Sequence, residues 1–293
     1  MSMKQRQLDM TVNYKFASDI IELFLSDNSY DNFHDFVYVT YSDQEDFFNE
    51  LILEGVKSLT KPTKYTLIHH FIEYYLYTFL ANERYFLIKC ICDDLDMDSL
   101  INFFEDKYEM INSYCKCSFD IYDHFEKLDN DYESSDYENS EEYIQQVDLT
   151  FEKYVSDFEK YMPSIIESIF FLLYANKAFI YNFHECISNY ITSDLLDKAL
   201  FDESGHIKRA AYLPEWLKRA VYYRDRGRCQ YCNKDLSGML NILDDNDKHF
   251  DHIIPLEKQG TNDATNFQLS CSECNLSKGG SLIRPLEYYE VYW

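Results

Sequence analysis

Glycine and proline are almost missing from the first 204 residues of this 293-residue chain, which hold one glycine, Gly55, and two prolines, Pro62 and Pro163. Tight turns and hairpins draw on one or the other, so a β-rich architecture is excluded there and long helices are expected. Also missing is an apolar run long enough to cross a membrane as a helix. The most apolar stretches, 65–80 and 165–181, are interrupted by His69, His70 and Glu73 and by Asn176 and Lys177, so buried helices rather than membrane spans are expected. Residues 1–10 are polar, with no apolar segment behind a basic one. No export signal is read there, and a reducing cytoplasm is the expected compartment. Neither G-x-x-x-x-G-K-[ST] nor G-x-G-x-x-G occurs, which removes two common phosphate-cradling loops.

Positive charge is scarce as well: 27 Lys and Arg stand against 52 Asp and Glu, a net charge of −25. Such a balance repels nucleic acid unless basic residues are gathered in one place. They are. Residues 1–205 carry 40 acidic and 15 basic residues, whereas 206–293 carry 12 of each, and 206–234 alone has eight basic against two acidic. Six of the seven glycines and three of the five prolines also lie from Gly205 onward. Both shifts divide the chain into residues 1–205 and 206–293.

In the first part, Leu, Ile, Phe and Tyr recur at three-to-four residue spacing over 17–25, 44–59, 65–92, 98–112, 146–161 and 164–190, which predicts an all-α domain. The segment 129–142, DNDYESSDYENSEE, has seven acidic residues and little to bury, and reads as a solvated loop or link. The Tyr and Phe wealth is assigned to core and interface. Cys90, Cys92, Cys115, Cys117 and Cys186 are assigned to core packing, and His69, His70 and Glu73 lack a third convergent group that would make them a metal site. In the second part a helix is predicted from Pro214 to Arg226, with Gly227 ending it. Trp216, Leu217, Ala220 and Val221 form its apolar face; Lys218, Arg219, Arg224 and Arg226, followed by Arg228, form a basic surface suited to phosphates.

Cys229-Gln-Tyr-Cys232 and Cys271-Ser-Glu-Cys274, 38 residues apart, are two knuckles that can close a tetrahedral site. Four thiolates leave no open position for water, so a zinc ion held by Cys229, Cys232, Cys271 and Cys274 is structural, replacing the core that a small module lacks. Between the knuckles lie Asp251-His252-Ile253-Ile254-Pro255 and Asn266-Phe267-Gln268-Leu269, and after them Asn275-Leu-Ser-Lys278-Gly279. Phosphodiester hydrolysis needs a base for water and a metal for the phosphate, and an adjacent carboxylate and imidazole at a strand end can share that labour.

In this order the submotifs resemble the zinc-knuckle branch of the HNH, or ββα-metal, endonucleases, over about residues 206–285. For that segment the resemblance implies a small α+β, zinc-stapled ββα-metal module, which together with the all-α domain read from periodicity makes a mainly α chain. It implies that His252 activates water, that Asp251 and Asn275 hold a catalytic cation, and that Asn266 fixes the intervening loop. Many relatives have His where Asn275 stands; Asn makes an oxygen-only ligand set that suits Mg²⁺ or Mn²⁺. Lys278, one turn later, is read as a phosphate contact or a solvated lysine, and His249 as a loop histidine near substrate. Double-stranded DNA is the implied substrate, and anti-phage defence or restriction the implied setting. One module offers one active site, so duplex cleavage calls for a homo-oligomer or two encounters. The acidic domain suits three roles: docking onto a protein partner such as an ATPase or sensor, acting as an autoinhibitory DNA mimic, or keeping an aromatic-rich fold soluble. A zinc ribbon that binds nucleic acid or protein without cleaving is the alternative reading.

Overall fold

The computed structural model describes residues 3–92, 158–238 and 247–285, with seven further positions between 145 and 156. The expected helix 98–112, the acidic segment 129–142, Cys115 and Cys117 lie outside the described residues. Helices α1 (Met3–Leu25), α2 (Ser29–Val37), α3 (Gln44–Glu54), α4 (Val56–Thr60), α5 (Leu67–Cys92), α6 (Met162–Ala175) and α7 (Lys177–Tyr190) form the first part, with no strand among its described residues. Strands β1 (Lys248–His252) and β2 (Phe267–Cys271) follow α8 (Glu215–Arg224), and α9 (Ser272–Lys278) follows β2 directly.

Two expected single helices are each broken, for local reasons. The run 44–59 breaks at Gly55, where a Cβ would collide with the Leu67 side chain and sit 3.1 Å from the Leu51 carbonyl. The glycine therefore permits the start of α5 to approach. The run 164–190 breaks at Asn176, whose backbone is extended and whose side chain accepts from the Phe179 N–H, capping α7. The chain bends there by 101°. Among the described residues no single helix is long and apolar enough to cross a membrane; α6 and α7 pass only as this bent pair, with Ile165, Ile169, Leu173, Phe179 and Phe183 buried in the core. α2 lies in a stretch whose Asp, Asn and Ser suggest a loop, and forms because Phe33 and Val37 on one face are buried.

The aromatic residues build the core. Phe24 meets Phe33, Phe71, Phe179 and Phe183 edge-on at centroid distances of 5.3–5.9 Å, the arrangement that the ring quadrupole favours. Ile253 and Ile254, which follow β1, are buried in the same cluster, and a bridge between Phe201 and Ile207 spans the compositional boundary at residue 205. A second, smaller cluster holds Leu217, Val221, Leu236, Phe267 and Leu269 beside the cysteines.

The loop from Ile253 to Asn266 is bonded into the helical part. The Asn262 N–H donates to the Leu59 carbonyl at 2.9 Å, and the Asp263 carboxylate accepts from Leu67 N–H at 2.8 Å at the start of α5. The Thr265 hydroxyl lies 2.8 Å from His184 Nε2 and 2.5 Å from Asp263 Oδ1. Because that hydroxyl donates to the carboxylate, His184 donates to it through Nε2–H, leaving Nδ1 buried without a partner. Burial foremost, then the positive charge of Arg224 and that of His252 once it is protonated, push the His184 pKa down to about 3.

A group depressed in this way contributes stability above its unfolded pKa of about 6.5, and that stability drains as pH falls toward the folded value. Denaturant titrations of the intact chain are expected to show stability falling below pH 6.5, with His184 contributing up to about 1.4 kcal/mol per pH unit. His184→Gln, which keeps a donor and cannot charge, should flatten the profile by that amount; an unchanged slope would locate the titration elsewhere.

Candidate active site and metal centre

The four knuckle sulfurs meet. One ligand atom from each of Cys229, Cys232, Cys271 and Cys274 lies within 4.8 Å of all the others, and the Cys232 and Cys271 sulfurs are 3.8 Å apart. A tetrahedron with Zn–S bonds of about 2.3 Å has an edge of about 3.8 Å, so the thiol set fits zinc. Local backbone brings the cysteines there. Arg226 and Gly227 take left-handed conformations after α8, Asn233 takes another after Cys232, and the Gln230 N–H donates to Leu269 O, fastening the first knuckle onto β2. A Cβ at Gly227 would press on the Tyr222 ring as well as being strained at φ +62°. The predicted end of α8 is accordingly two residues late: Pro214 caps it, Arg224 is its last residue, and the left-handed pair re-aims the chain.

β1 and β2 pair antiparallel with His252 opposite Phe267 and Lys248 opposite Cys271, and α9 packs on both. Asp251, His252 and Asn275 line one cleft of about 320 Å³, with Arg209, His249, Pro255 and Glu257. His252 is 3% exposed, its ring 4.4 Å from that of Phe267. Burial first, with the nearby charges of Arg209 and Lys278, lowers its pKa to about 3, so the imidazole is neutral at pH 7. Asp251 accepts at Oδ2 from Lys278 Nζ at 2.6 Å and from the Tyr231 hydroxyl at 3.3 Å. No described donor bonds Oδ1, so this oxygen and the Asn275 amide offer hard ligands to a divalent cation at the cleft. That donor set fits Mg²⁺ or Mn²⁺.

Asn266 is fully buried, donating to the Ile254 and Thr261 carbonyls and accepting from Ile254 N–H at 2.9 Å. It ties the two ends of the loop between the strands. Gly260 completes the tie, since a Cβ there would collide with the carbonyls of Ile254 and Pro255.

The basic residues do not form one surface. Arg224 is 4% exposed at its side chain, bonded to Asp225 and to the Phe267 carbonyl at 2.5 Å, and stacked 4.9 Å over Tyr174; it is a structural arginine and not a phosphate contact. Lys278 is also misread as a surface lysine. It is 2% exposed and holds Asp251 and the His252 carbonyl, because the period of α9 turns it under the hairpin. Lys218 pairs with Glu215 at 2.6 Å, Arg228 donates to Asn233 O, and Arg219 and Arg226 are exposed. His69 and Glu73 do not converge: His69 stacks on Phe170 at 3.8 Å and Glu73 accepts from Tyr65. Among the described residues the four cysteines are the one cluster of three or more His, Cys, Asp or Glu able to hold a metal. Cys186 packs against the core as expected, and burial raises its thiol to about 12.

Three residues near His252 escape sequence reasoning. Asn262 is fully buried; its amide donates to Lys208 O at 2.8 Å, and Oδ1 accepts from Ala210 N–H at 3.0 Å while facing His252 Nε2 at 3.4 Å. Arg209 lines the cleft, and Tyr231 bonds Asp251. Asn262 was legible only as one polar residue of a loop, and Arg209 as one cation among several.

Residues 229–281 match the family model of the HNH endonucleases. With four cysteines close enough to bind one metal, this segment fits a zinc-knuckle HNH module. No curated protein and no solved structure matches the chain.

The purified chain is expected to carry about one zinc ion, measured by elemental analysis. Cys271→Ser should lose it and open residues 226–236 to protease, whereas Cys186→Ser should retain it. Full zinc content in the Cys271 variant would mean that the sulfurs do not hold the ion.

Proposed function

We propose that the chain is a metal-dependent endonuclease that hydrolyses phosphodiester bonds of nucleic acid, with DNA as its substrate and His252 as general base. The observation that carries this reading is the meeting of Asp251, His252 and Asn275 in one cleft beside Arg209. The match to the HNH endonucleases supports a nuclease-type function on nucleic acid.

His252 does the proton work. Asn262 is held by three backbone partners with Oδ1 toward Nε2, which favours the Nε2–H tautomer and leaves Nδ1 to take a proton from water. A phosphate drawn to Arg209 would offset the cation that depresses His252, raising its basicity as substrate arrives. Asp251 and Asn275 would hold a divalent cation, which supplies neutralisation of the phosphate and the leaving oxygen. Lys278 holds Asp251 in place from below, and Asn266 keeps the loop closed over the cleft floor.

Incubation of supercoiled plasmid and structured RNA with Mg²⁺ or Mn²⁺ tests the reading. Metal-dependent nicking of plasmid is expected, and His252→Ala should lower it by at least about 100-fold with zinc content unchanged. One observation favours the non-catalytic alternative: the Lys278 ammonium already neutralises Asp251 where a cation would act. Intact substrate across both metals and both nucleic acids would decide for that alternative.

We assign the acidic helical part a scaffolding role toward the site, since it buries Ile253 and Ile254 and anchors Asn262 through Leu59. Residues 206–293 expressed alone should therefore lack a cooperative thermal transition and cleave more slowly than the intact chain. Faster cleavage by the fragment would establish the DNA-mimic role instead.

A further inference from the structure

The catalytic cleft does not end at Arg209. The same side chain lines a second cleft of about 460 Å³, formed by residues 60–62 at the end of α4, by Ala199 and Leu200, and by the segment 208–212 before α8. Three cations face it, Lys61, Lys208 and Arg209, and no acidic residue lines it. All three are exposed. Lys61 and Arg209 make no ion pair with a described residue, and Lys208 donates to the Ala199 carbonyl at 2.8 Å, which leaves its charge uncompensated.

Five other described cations are each paired with a carboxylate. Lys218 pairs with Glu215, Lys234 with Asp247, Arg84 with Asp148, Arg224 with Asp225 and Lys278 with Asp251, all at 2.6–2.8 Å. With 52 carboxylates available, unpaired cations gathered in a carboxylate-free cleft make a local positive field in an acidic molecule. The second cleft adjoins the one that holds His252 through Arg209, and its cations come from both parts of the chain, Lys61 from the helical part and Lys208 and Arg209 from the other.

We propose that this second cleft is the track of the substrate's sugar–phosphate backbone, which leaves the scissile position at Arg209 and runs over Lys208 and Lys61. The inference rests on the nuclease reading and adds to it that the acidic helical part binds substrate directly. It also accounts for the loss of Arg224 and Lys278 as phosphate contacts, since their task falls to cations that the sequence places far apart.

The test measures binding without cleavage. Full-length His252→Ala, without divalent cation, is titrated against fluorescein-labelled duplex and single-stranded DNA by anisotropy over a range of NaCl concentrations. Lys61→Glu with Lys208→Gln is then added in the same background; Lys61 is an exposed helix-end residue, and circular dichroism checks the fold. At about 100 mM salt the dissociation constant is expected to rise at least about tenfold. The slope of log affinity against log salt should fall by about 1.8 for duplex or about 1.4 for single strands, the signature of two lost phosphate contacts. Unchanged affinity and slope in a folded variant would overturn the track alone. Absence of DNA binding by the parent His252→Ala protein would overturn both the track and the nuclease reading.

Discussion

The carboxylate of Asp263 caps two helical segments from two parts of the chain, and the cleft depends on it. Its Oδ2 accepts from Leu67 N–H at the start of the 26-residue α5, and its Oδ1 accepts from the Thr265 N–H and hydroxyl. A fully buried carboxylate is costly, and burial raises its pKa. Three donors and the positive end of a long helix offset that cost. Asn262 and Thr265, on either side, bond Leu59 and His184, so the loop that closes the ββα hairpin is held by the helical core. Its position fixes Asn262, and Asn262 in turn faces His252.

The four-cysteine site and the polar cleft are kept apart by the hairpin between them. At one end, soft thiolates replace a core that Leu217, Val221, Leu236, Phe267 and Leu269 are too few to supply. At the other, the strand end presents Asp251 and His252 to a polar cleft. The helix α9 joins them: Cys274 faces the sulfurs, Asn275 the cleft, and Lys278 the underside of Asp251. A seven-residue helix thus serves the scaffold, the candidate cation site and the internal counter-ion with three of its side chains.

Much of this was legible beforehand. Paired cysteines announce themselves by spacing, because the two thiolates of a knuckle need a short spacer, here two intervening residues. The helical character of the first part follows from apolar periodicity with hardly any glycine or proline. Charge was harder to read. Arg224 and Lys278 look like surface cations in a basic segment, yet each finds a carboxylate, Asp225 and Asp251, that only packing brings near. Helix breaks at Gly55 and Asn176 also resisted reading, since a lone glycine or asparagine within an apolar run is compatible with a continuing helix.

The sequence by itself determined the thiolate set, the likeness of residues 229–281 to an HNH module, and the helical class of the first part. These depend on neighbours a few residues apart or on motifs whose spacing is their geometry. Tertiary structure alone decided which cations lack a carboxylate partner, that Asn262 faces His252, and that residues 1–205 and 206–293 share a core and the second of the two adjoining clefts. Those outcomes rest on contacts across as many as about two hundred residues, such as Leu59 with Asn262 and Leu67 with Asp263. No local pattern encodes such pairs, because loop closure brings them together only once the apolar core has formed.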